Sequence, residues 1–554
     1  MGDAVEIERT DLGPGARAAR IGAAWGAFLL GSPGMLEPGG HVLGALLFAA
    51  LWCSTAVRPG RAAFWIEWAL ASIGFGVLMG WLAYISTPAV PAAGIGMGFY
   101  AAVAGVAARR ASFRVPPLLA ATVAWVGFET LRDLIPTPFG MGWLRLGHLA
   151  IDIELLAGSA RWYGVVGLSF VLTGVGAGAT ALLGPRPLPA VERRVALLFV
   201  TALPVLAVGL SSLGAPEVEA GPTVLLVQPN IGQERKQLGV DWGDIITSQR
   251  RLSIEGQADG PVDLVCWSET FLGVDLFSAD ALAAVENGIE FDPWQAAVLG
   301  PSEIRASGSV DLEQALVKER ILGIGLPQGD LLPGTAFLAG AEEWRAIDGR
   351  LRRVNAAVLW SAEGTSTSFS KRHMVPLGET MWGLERFDWA RDWIDGYLAD
   401  LVAADDPRPL VFEDREGRAW RIGTPICFDN AYLDTFRDDV DLHVVLSNEA
   451  WYRRSFELDH MVAFSRLAAI ATGRSVVRCT NSGIGYACDP EGRELARLVV
   501  AGEDREVKGT LRVEVPVPVD PTFRTGFSRW GAVLRWAAAG AGILIGVLGG
   551  SRRA

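Results

Sequence analysis

The feature that most restricts this chain is the succession of long apolar blocks filling it up to about Leu213. Crossing a bilayer takes about 20 mostly apolar residues in a helix, because the hydrocarbon offers no water to satisfy backbone groups. Seven stretches, 18–36, 41–57, 63–86, 91–108, 116–135, 162–184 and 195–213, meet or approach that length, and an eighth, 530–550, lies near the C-terminal end. The first is the weakest, because Gly31-Ser32-Pro33-Gly34 interrupts it. The expected class is therefore a polytopic α-helical membrane bundle of about eight spans.

Lys and Arg in short loops prefer the cytoplasm. Arg9, Arg17 and Arg20 precede the first span, Arg58 and Arg61 follow the second, Arg109, Arg110 and Arg114 the fourth, and Arg186, Arg193 and Arg194 the sixth. The loops at 37–40 and 87–90 carry none. This alternation predicts a cytoplasmic N-terminus at 1–17, a seven-helix region at 18–213, an extracytoplasmic domain at 221–518 and a last helix returning Arg552 and Arg553 to the cytoplasm. The polar start and the absence of a small-residue cleavage pattern predict no cleaved signal peptide. A longer outer connection, 136–161, holds Trp143, and Glu129 and Arg132 lie near it, three residues apart, where they can share a helix face and pair.

From Glu217 to about Thr525 charged residues return at ordinary density and supply most of the net charge of −12. No basic stripe interleaved with aromatics appears, which argues against nucleic acid as a partner. Five cysteines without a CxxC pair suggest neither a disulfide framework nor a metal site. Pairing of Cys479 with Cys488 stays open.

Within this second part, apolar β-rich runs begin at Thr223, Val262, Arg320, Asn355, Trp420, Leu442 and Ser475 and alternate with helical stretches. Strands apolar on both faces belong in sheets covered by helices, so an α-β-β-α sandwich is expected. Three strand exits carry reactive groups: Glu269 after Val265-Cys-Trp-Ser, Lys371 after Ser368-Phe-Ser, and Cys427 after Gly423-Thr-Pro-Ile. Alone, each has a plain reading, as a helix cap, a surface lysine and a packed core cysteine. Together they supply a general base, a cation for an oxyanion and for lowering a thiol's pKa, and a nucleophile. The irregular stretch 271–319 is expected to form an exposed flap.

Glu, Lys and Cys in this order, each at a strand exit, resemble the nitrilase, or carbon–nitrogen hydrolase, superfamily over 223–515. The fuller resemblance is to the apolipoprotein N-acyltransferase family, in Val227-Gln-Pro-Asn-Ile, Trp267-Ser-Glu-Thr, Lys371-Arg-His-Met-Val-Pro-Leu-Gly-Glu, Ile426-Cys-Phe-Asp and Ser447-Asn-Glu-Ala-Trp-Tyr. Phe128-Glu-Thr-Leu-Arg and Tyr163-Gly-Val-Val-Gly extend it into the apolar part. It implies Glu269 as base, Lys371 as oxyanion cation and Cys427 as nucleophile, with Glu379, Phe428 and Asp429 as supporting residues and Trp242, Trp382, Asn448 and Trp451 as candidate substrate-binding residues. It also implies no cofactor, a bacterial inner-membrane location, a phospholipid acyl donor such as phosphatidylethanolamine, and a diacylated apolipoprotein as acceptor. Phe428 and Asp429 stand where the family has Tyr and Glu, Ser268 where it has Pro, Gln237 where it often has Trp, and Ala468 and Ala471 where Arg and Glu are common. Two other readings compete: a membrane-anchored nitrilase-type amidase, and a transporter or scaffold whose outer domain only binds.

Overall fold

The structure is a computed structural model that describes residues 11–36, 41–137, 139–184, 187–234, 242–272, 275–288, 331–362, 366–376, 378–380, 387, 401–404, 406 and 408–548. Two compact units divide the chain. One comprises Met1–Ala215, Ser455–Thr472 and Arg524–Ala554, the other Pro216–Arg454 and Gly473–Phe523.

The first unit is helical, with a helix at each expected apolar block: Pro14–Leu30, His41–Ala56, Ala63–Leu78, Ala89–Ala111, Pro117–Leu134, Ala160–Leu182, Ala190–Ser211 and Gly526–Leu548. Four are long and apolar enough to cross a membrane: Ala89–Ala111, Ala160–Leu182, Ala190–Ser211 and Gly526–Val547. The others fall short for local reasons. Gly31 caps the first helix at Leu30, just before Pro33. His41–Ala56 and Ala63–Leu78 have 16 residues each, about 24 Å of helix against a hydrocarbon core of about 30 Å. Pro117–Leu134 carries Glu129, Arg132 and Asp133 in its last turns. Large apolar side chains such as Trp65, Ile73, Val205, Trp530 and Trp536 point outward and are more than 60% exposed, as a lipid-facing surface requires.

Several of the charges inside this unit are paired. Glu67 accepts from Arg17 (2.5 Å) and Arg109 (2.6 Å), all within the apolar helices. Glu129 and Arg132 do not bond to each other as their spacing predicts. Glu129 accepts from the Leu146 amide (2.7 Å) and Arg132 donates to the Trp143 carbonyl (3.0 Å), so both serve the backbone of the connection that follows. An unsatisfied buried backbone group costs about 1–3 kcal/mol, which favours this over a side-chain pair.

The second unit is a two-sheet sandwich. Its strands are β1 Val218–Gln228, β2 Leu264–Trp267, β3 Asp275–Phe277, β4 Ala336–Ile347, β5 Arg350–Trp360, β6 Ser366–Ser370, β7 Leu410–Glu413, β8 Ala419–Gly423, β9 Leu442–Ser447, β10 Ser475–Thr480, β11 Tyr486–Cys488, β12 Glu494–Arg497 and β13 Gly509–Pro518. One sheet runs β13-β1-β2-β4-β5-β6 with β3 paired to β4, the other β12-β11-β10-β9-β8-β7. β1, β2 and the start of β4 are parallel, as are β8, β9 and β10. Six of the seven expected runs lie in these strands; the one at Arg320 lies outside the described residues. Of the expected flap, 275–277 pairs as β3 and Ala279–Glu286 is helical, while the rest lies largely outside them.

Alternation along the strands divides the core. Val224, Leu226, Leu264, Cys266, Ala336 and Leu338 face inward against Ile422, Leu442, Val444, Leu446 and Val477 of the other sheet. Leu225, Val227, Val265 and Trp267 face the opposite way with Leu252 of the helix Trp242–Glu255, and the Trp267 indole donates to Ser253 Oγ at 2.9 Å. Each such fully buried aliphatic side chain contributes about 1.5–3 kcal/mol. Cys479 and Cys488 are not joined: the β10–β11 register sets Cys488 opposite Val476, and the Cys479 thiol donates to the Cys266 carbonyl at 3.1 Å.

His443 of β9 is fully buried with its ring 5.1 Å from Phe436. Burial first, and then Arg474, push its pKa down to about 3. Because the folded value lies below the unfolded one, near 6.5, stability is fully present above pH 6.5 and is lost as pH falls towards 3. We expect an acid-side loss on the order of 2 kcal/mol at pH 5 from this residue. His443→Leu should flatten the melting temperature between pH 7 and 5; an unchanged acid slope would remove His443 as its source.

Candidate active site

Three strand exits of the sandwich converge on one buried cation. β2 ends at Trp267, and Ser268 and Glu269 follow it into a turn in which Thr270 has a φ of 53°. Glycine at position 340 of β4 allows that turn to sit against the sheet. A Cβ there would lie 2.5 Å from Glu269 Cα and from the Thr270 amide nitrogen. Lys371 directly follows β6, and its amide donates to the Asn355 carbonyl of β5 at 2.8 Å. After β8, Thr424 to Ile426 stay extended, and Ile426 bridges to Leu446 of β9 before the chain turns.

That turn begins at Cys427, whose φ of 50° is the left-handed conformation that a residue with a Cβ rarely adopts. Strain of this kind costs of order 1–3 kcal/mol and persists only where the surroundings enforce it. Here the enforcing group is Asp429. Its carboxylate accepts from the amides of Ile426 (3.2 Å), Arg372 (3.3 Å) and His373 (2.7 Å), tying the cysteine turn to the segment that carries Lys371. His373 in turn stacks on Tyr432 at 3.9 Å, and Phe428 packs edge-on against the same tyrosine.

The Lys371 side chain is fully buried, and its ammonium donates to Glu379 Oε1 (2.8 Å) and Glu269 Oε1 (3.3 Å). Glu379 is fixed from its other oxygen by the Val375 amide (2.8 Å). Glu269 also accepts from Asn355 Nδ2 (2.8 Å) and the Asn448 amide (2.9 Å). Asn355 further reaches Glu379 at 3.3 Å and so bridges the two carboxylates. Asn448 is held by Gln233 and Asn481, each at 2.9 Å. Next to it, Glu449 and Arg478 form a fully buried ion pair.

The electrostatics follow from this census. Burial alone would pull the Lys371 ammonium down, but Glu379 and Glu269, with Cys427 and Asp429, outweigh it and hold lysine well above its ordinary value. For the Cys427 thiol, burial is the largest influence and raises its pKa. Glu269, Glu379 and Glu449 push the same way, and Lys371 pulls against them without prevailing, so the thiol sits well above the usual thiol range. The lysine does lower the thiol's pKa, as expected from sequence, yet the resting sulfur remains protonated. Burial likewise raises the Asp429 carboxyl above the usual carboxylate range.

Glu269, Lys371, Cys427, Glu379, Asp429, Phe428 and Asn448 are thus brought together. Trp451 closes the short turn Glu449–Trp451, half-buried, and Trp242 is the first residue of the helix Trp242–Glu255. Trp382 and Gln237 lie outside the described residues. Sequence reasoning missed Asn355, and the signal was present: a lone amide heading the apolar run Asn355-Ala-Ala-Val-Leu-Trp. Among the described residues no cluster of His, Cys, Asp and Glu has the makings of a metal site.

The two-sheet sandwich thus carries a glutamate, a lysine and a cysteine just after three of its strands and a second glutamate on the lysine, in the stretches whose sequence motifs resemble the carbon–nitrogen hydrolase superfamily. The comparisons with known proteins point further. Residues 27–178 match the family model described as the apolipoprotein N-acyltransferase N-terminal domain. Curated apolipoprotein N-acyltransferases are similar along almost the whole chain. The one from Geobacter metallireducens is 23% identical over 93% of this chain and 92% of its own length. The one from Azotobacter vinelandii is 26% identical over 91% and 89%. Among solved structures, a CN-hydrolase superfamily protein from Xanthomonas campestris aligns at 16% identity over 61% of this chain and 99% of its own, with a TM-score of 0.31. The family resemblance carried by the sequence motifs is therefore met by similarity that runs through both the helical and the sheet unit.

The opposing influences on the thiol give a signed test. Glu269→Gln removes one of the charges that raise the Cys427 pKa and leaves Lys371 paired with Glu379. The pH midpoint for alkylation of Cys427 by iodoacetamide, read by peptide mass spectrometry, should move down. A midpoint that stays put or rises would mean that Glu269 does not face the sulfur.

Proposed function

We propose that this protein N-acylates the N-terminal diacylglyceryl-cysteine of bacterial apolipoproteins, with an acyl chain taken from a phospholipid, typically phosphatidylethanolamine, through a thioester on Cys427. The observation that carries this reading is the buried Cys427 thiol on a strained turn, within electrostatic reach of both Lys371 and Glu269. Similarity to named apolipoprotein N-acyltransferases over about nine-tenths of the chain supports the substrate class.

In the proposed reaction Glu269 takes the thiol proton as the sulfur attacks the ester carbonyl, so that the thiolate forms only when there is an acyl group to receive it. A C–S bond forms, and the carbonyl oxygen, now an oxyanion, is stabilised by the Lys371 ammonium. Collapse breaks the C–O bond, and Glu269 returns its proton to the departing lysophospholipid oxygen. The acceptor's α-amine then attacks the thioester, a C–N bond forms, the C–S bond breaks, and the thiolate recovers its proton from the amine by way of Glu269. Asn355 and the Asn448 amide orient the base, and Asp429 holds the nucleophile turn. Trp242, Trp382 and Trp451 are proposed to line the approach for lipid or lipopeptide. No cofactor enters this scheme.

The same reading covers topology. We take the eight helices as spans of the bacterial inner membrane, with the domain at 221–518 on the extracytoplasmic side and both termini in the cytoplasm. The alternation of arginines in the loops supports this orientation. A membrane-anchored amidase would use the same three residues but pass the acyl group to water.

The test is mass spectrometry of purified protein incubated with phosphatidylethanolamine. A fatty-acyl mass on Cys427 is expected, absent from Cys427→Ala, and it should move to an added diacylated lipopeptide to give a triacylated product. Lys371→Met should slow adduct formation by about 10²–10³-fold, the usual effect of losing an oxyanion donor. An unmodified thiol after incubation would sink the proposal, and free fatty acid without triacylated peptide would favour the amidase.

A further inference from the structure

Residues of one short stretch, Leu401 to Asp406, are bonded to Glu379 at one end and to the residue before Lys371 at the other. The Leu401 amide donates to the Glu379 carbonyl at 2.8 Å. The Val402 amide donates to the Arg353 carbonyl of β5 at 3.0 Å, and Val402 and Ala404 pack against the buried cluster that includes Val354 of the same strand. Asp406 then meets Ser370. Its Oδ2 accepts from the Ser370 amide (2.6 Å) and from the Ser370 hydroxyl (2.7 Å).

The position of β6 makes this last contact consequential. It is the end strand of its sheet and pairs with β5 alone among the described strands. Every second amide of such a strand points away from the ladder. The Lys371 amide points inward, to the Asn355 carbonyl, so the Ser370 amide points outward, where the Asp406 carboxylate receives it. Asp406 is itself fixed by Arg345 of β4, whose Nη1 lies 2.8 and 2.9 Å from its two oxygens. Arg345 also donates from Nε to Glu343 (2.7 Å) and from Nη2 to Ser368 (2.9 Å). Loss of Asp406 would therefore leave the arginine a carboxylate partner, and its main effect would fall on the end of β6.

We infer that Asp406 is a positioning residue for the active-site cation: it holds the end of β6 while Leu401 holds Glu379, and so sets where the Lys371 ammonium stands relative to Cys427. The inference rests on the proposed function only for the use made of that ammonium; the bonds themselves do not depend on acyl transfer. Lys371 pulls the Cys427 pKa down against burial and the glutamates, so the sulfur reports the cation's place.

The experiment measures the pH midpoint for alkylation of Cys427 by iodoacetamide in the full chain, with the melting temperature alongside. Removing an anion would by itself lower the midpoint, whereas displacing Lys371 raises it, so the sign separates the two. In Asp406→Ala the midpoint should rise by about half a unit or more, part of the roughly 1–3 units that an opposite charge at close range commands. Asp406→Asn keeps an oxygen that can accept from the Ser370 amide and should give a smaller rise; it decides the matter if Asp406→Ala does not fold. A midpoint that stays put or falls would overturn the inference, and a lower melting temperature with an unmoved midpoint would reduce Asp406 to a stabilising contact. No lipid enters the assay, so its failure leaves the acyl-transfer reading standing, and failure of acyl transfer leaves this measurement intact.

Discussion

The sheet unit is organised around a single electrostatic demand, the full burial of the Lys371 ammonium. A lone ammonium in a protein interior is penalised by several kcal/mol and survives only when opposite charges reach it with good geometry. Here Glu269 and Glu379 both reach it, from different segments, and each of them is fixed by amide donors. The demand propagates outward. Glu269 is placed by the end of β2, which fits only because Gly340 leaves room for the turn. Lys371 is placed by the end of β6, whose last residue, Ser370, is tied by Asp406 to Arg345 of β4. The strand order β2-β4-β5-β6 brings those two ends to one place.

Satisfying the lysine has a consequence for the sulfur. Two carboxylates around one cation leave the cluster negative, and Glu449 adds to this even with Arg478 beside it. A negative surrounding keeps a buried thiol protonated. The site therefore does not store a thiolate, in contrast with cysteine sites built around an unopposed cation or helix N-terminus. In the proposed reaction the sulfur therefore depends on a base at the moment of attack, a part that falls to Glu269, one of the carboxylates that raise the thiol's pKa.

Much of this was legible in the residues, for identifiable reasons. Strands in helix-covered sheets must be apolar on both faces, so Val262–Trp267 and Leu442–Ser447 stand out as short apolar runs, and both lie in β2 and β9. Reactive residues directly after such runs, Glu269, Lys371 and Cys427, fall on rigid strand exits where the backbone leaves the sheet. Asn355 escaped because nothing local distinguishes a buried amide that bridges two carboxylates from one that merely begins a strand; its meaning comes from partners 86 and 24 residues away. Glu129 and Arg132 show the opposite failure. Their spacing says that they can meet, but the backbone of residues 143–146 competes for both and wins, a contest invisible to periodicity. Hydropathy found the helices at their expected blocks, while helix ends were set by caps, prolines and charges, which is why His41–Ala56 stops short of a full span.

The chain crosses between its two units four times, at 215/216, 454/455, 472/473 and 523/524. The helix Glu457–Thr472, which connects parallel strands β9 and β10, groups with the helical unit, where the Trp143 indole donates to His460 at 3.2 Å and Arg466 bonds Asp152 at 2.7 Å. A parallel pair needs such a crossover to form at all. Strand β9 leads into Asn448, whose amide orients Glu269, and β10 into Asn481, which holds Asn448. The helix thus joins, along the chain, the two strands that lead into the asparagines on either side of this hydrogen bond, Asn448 and Asn481.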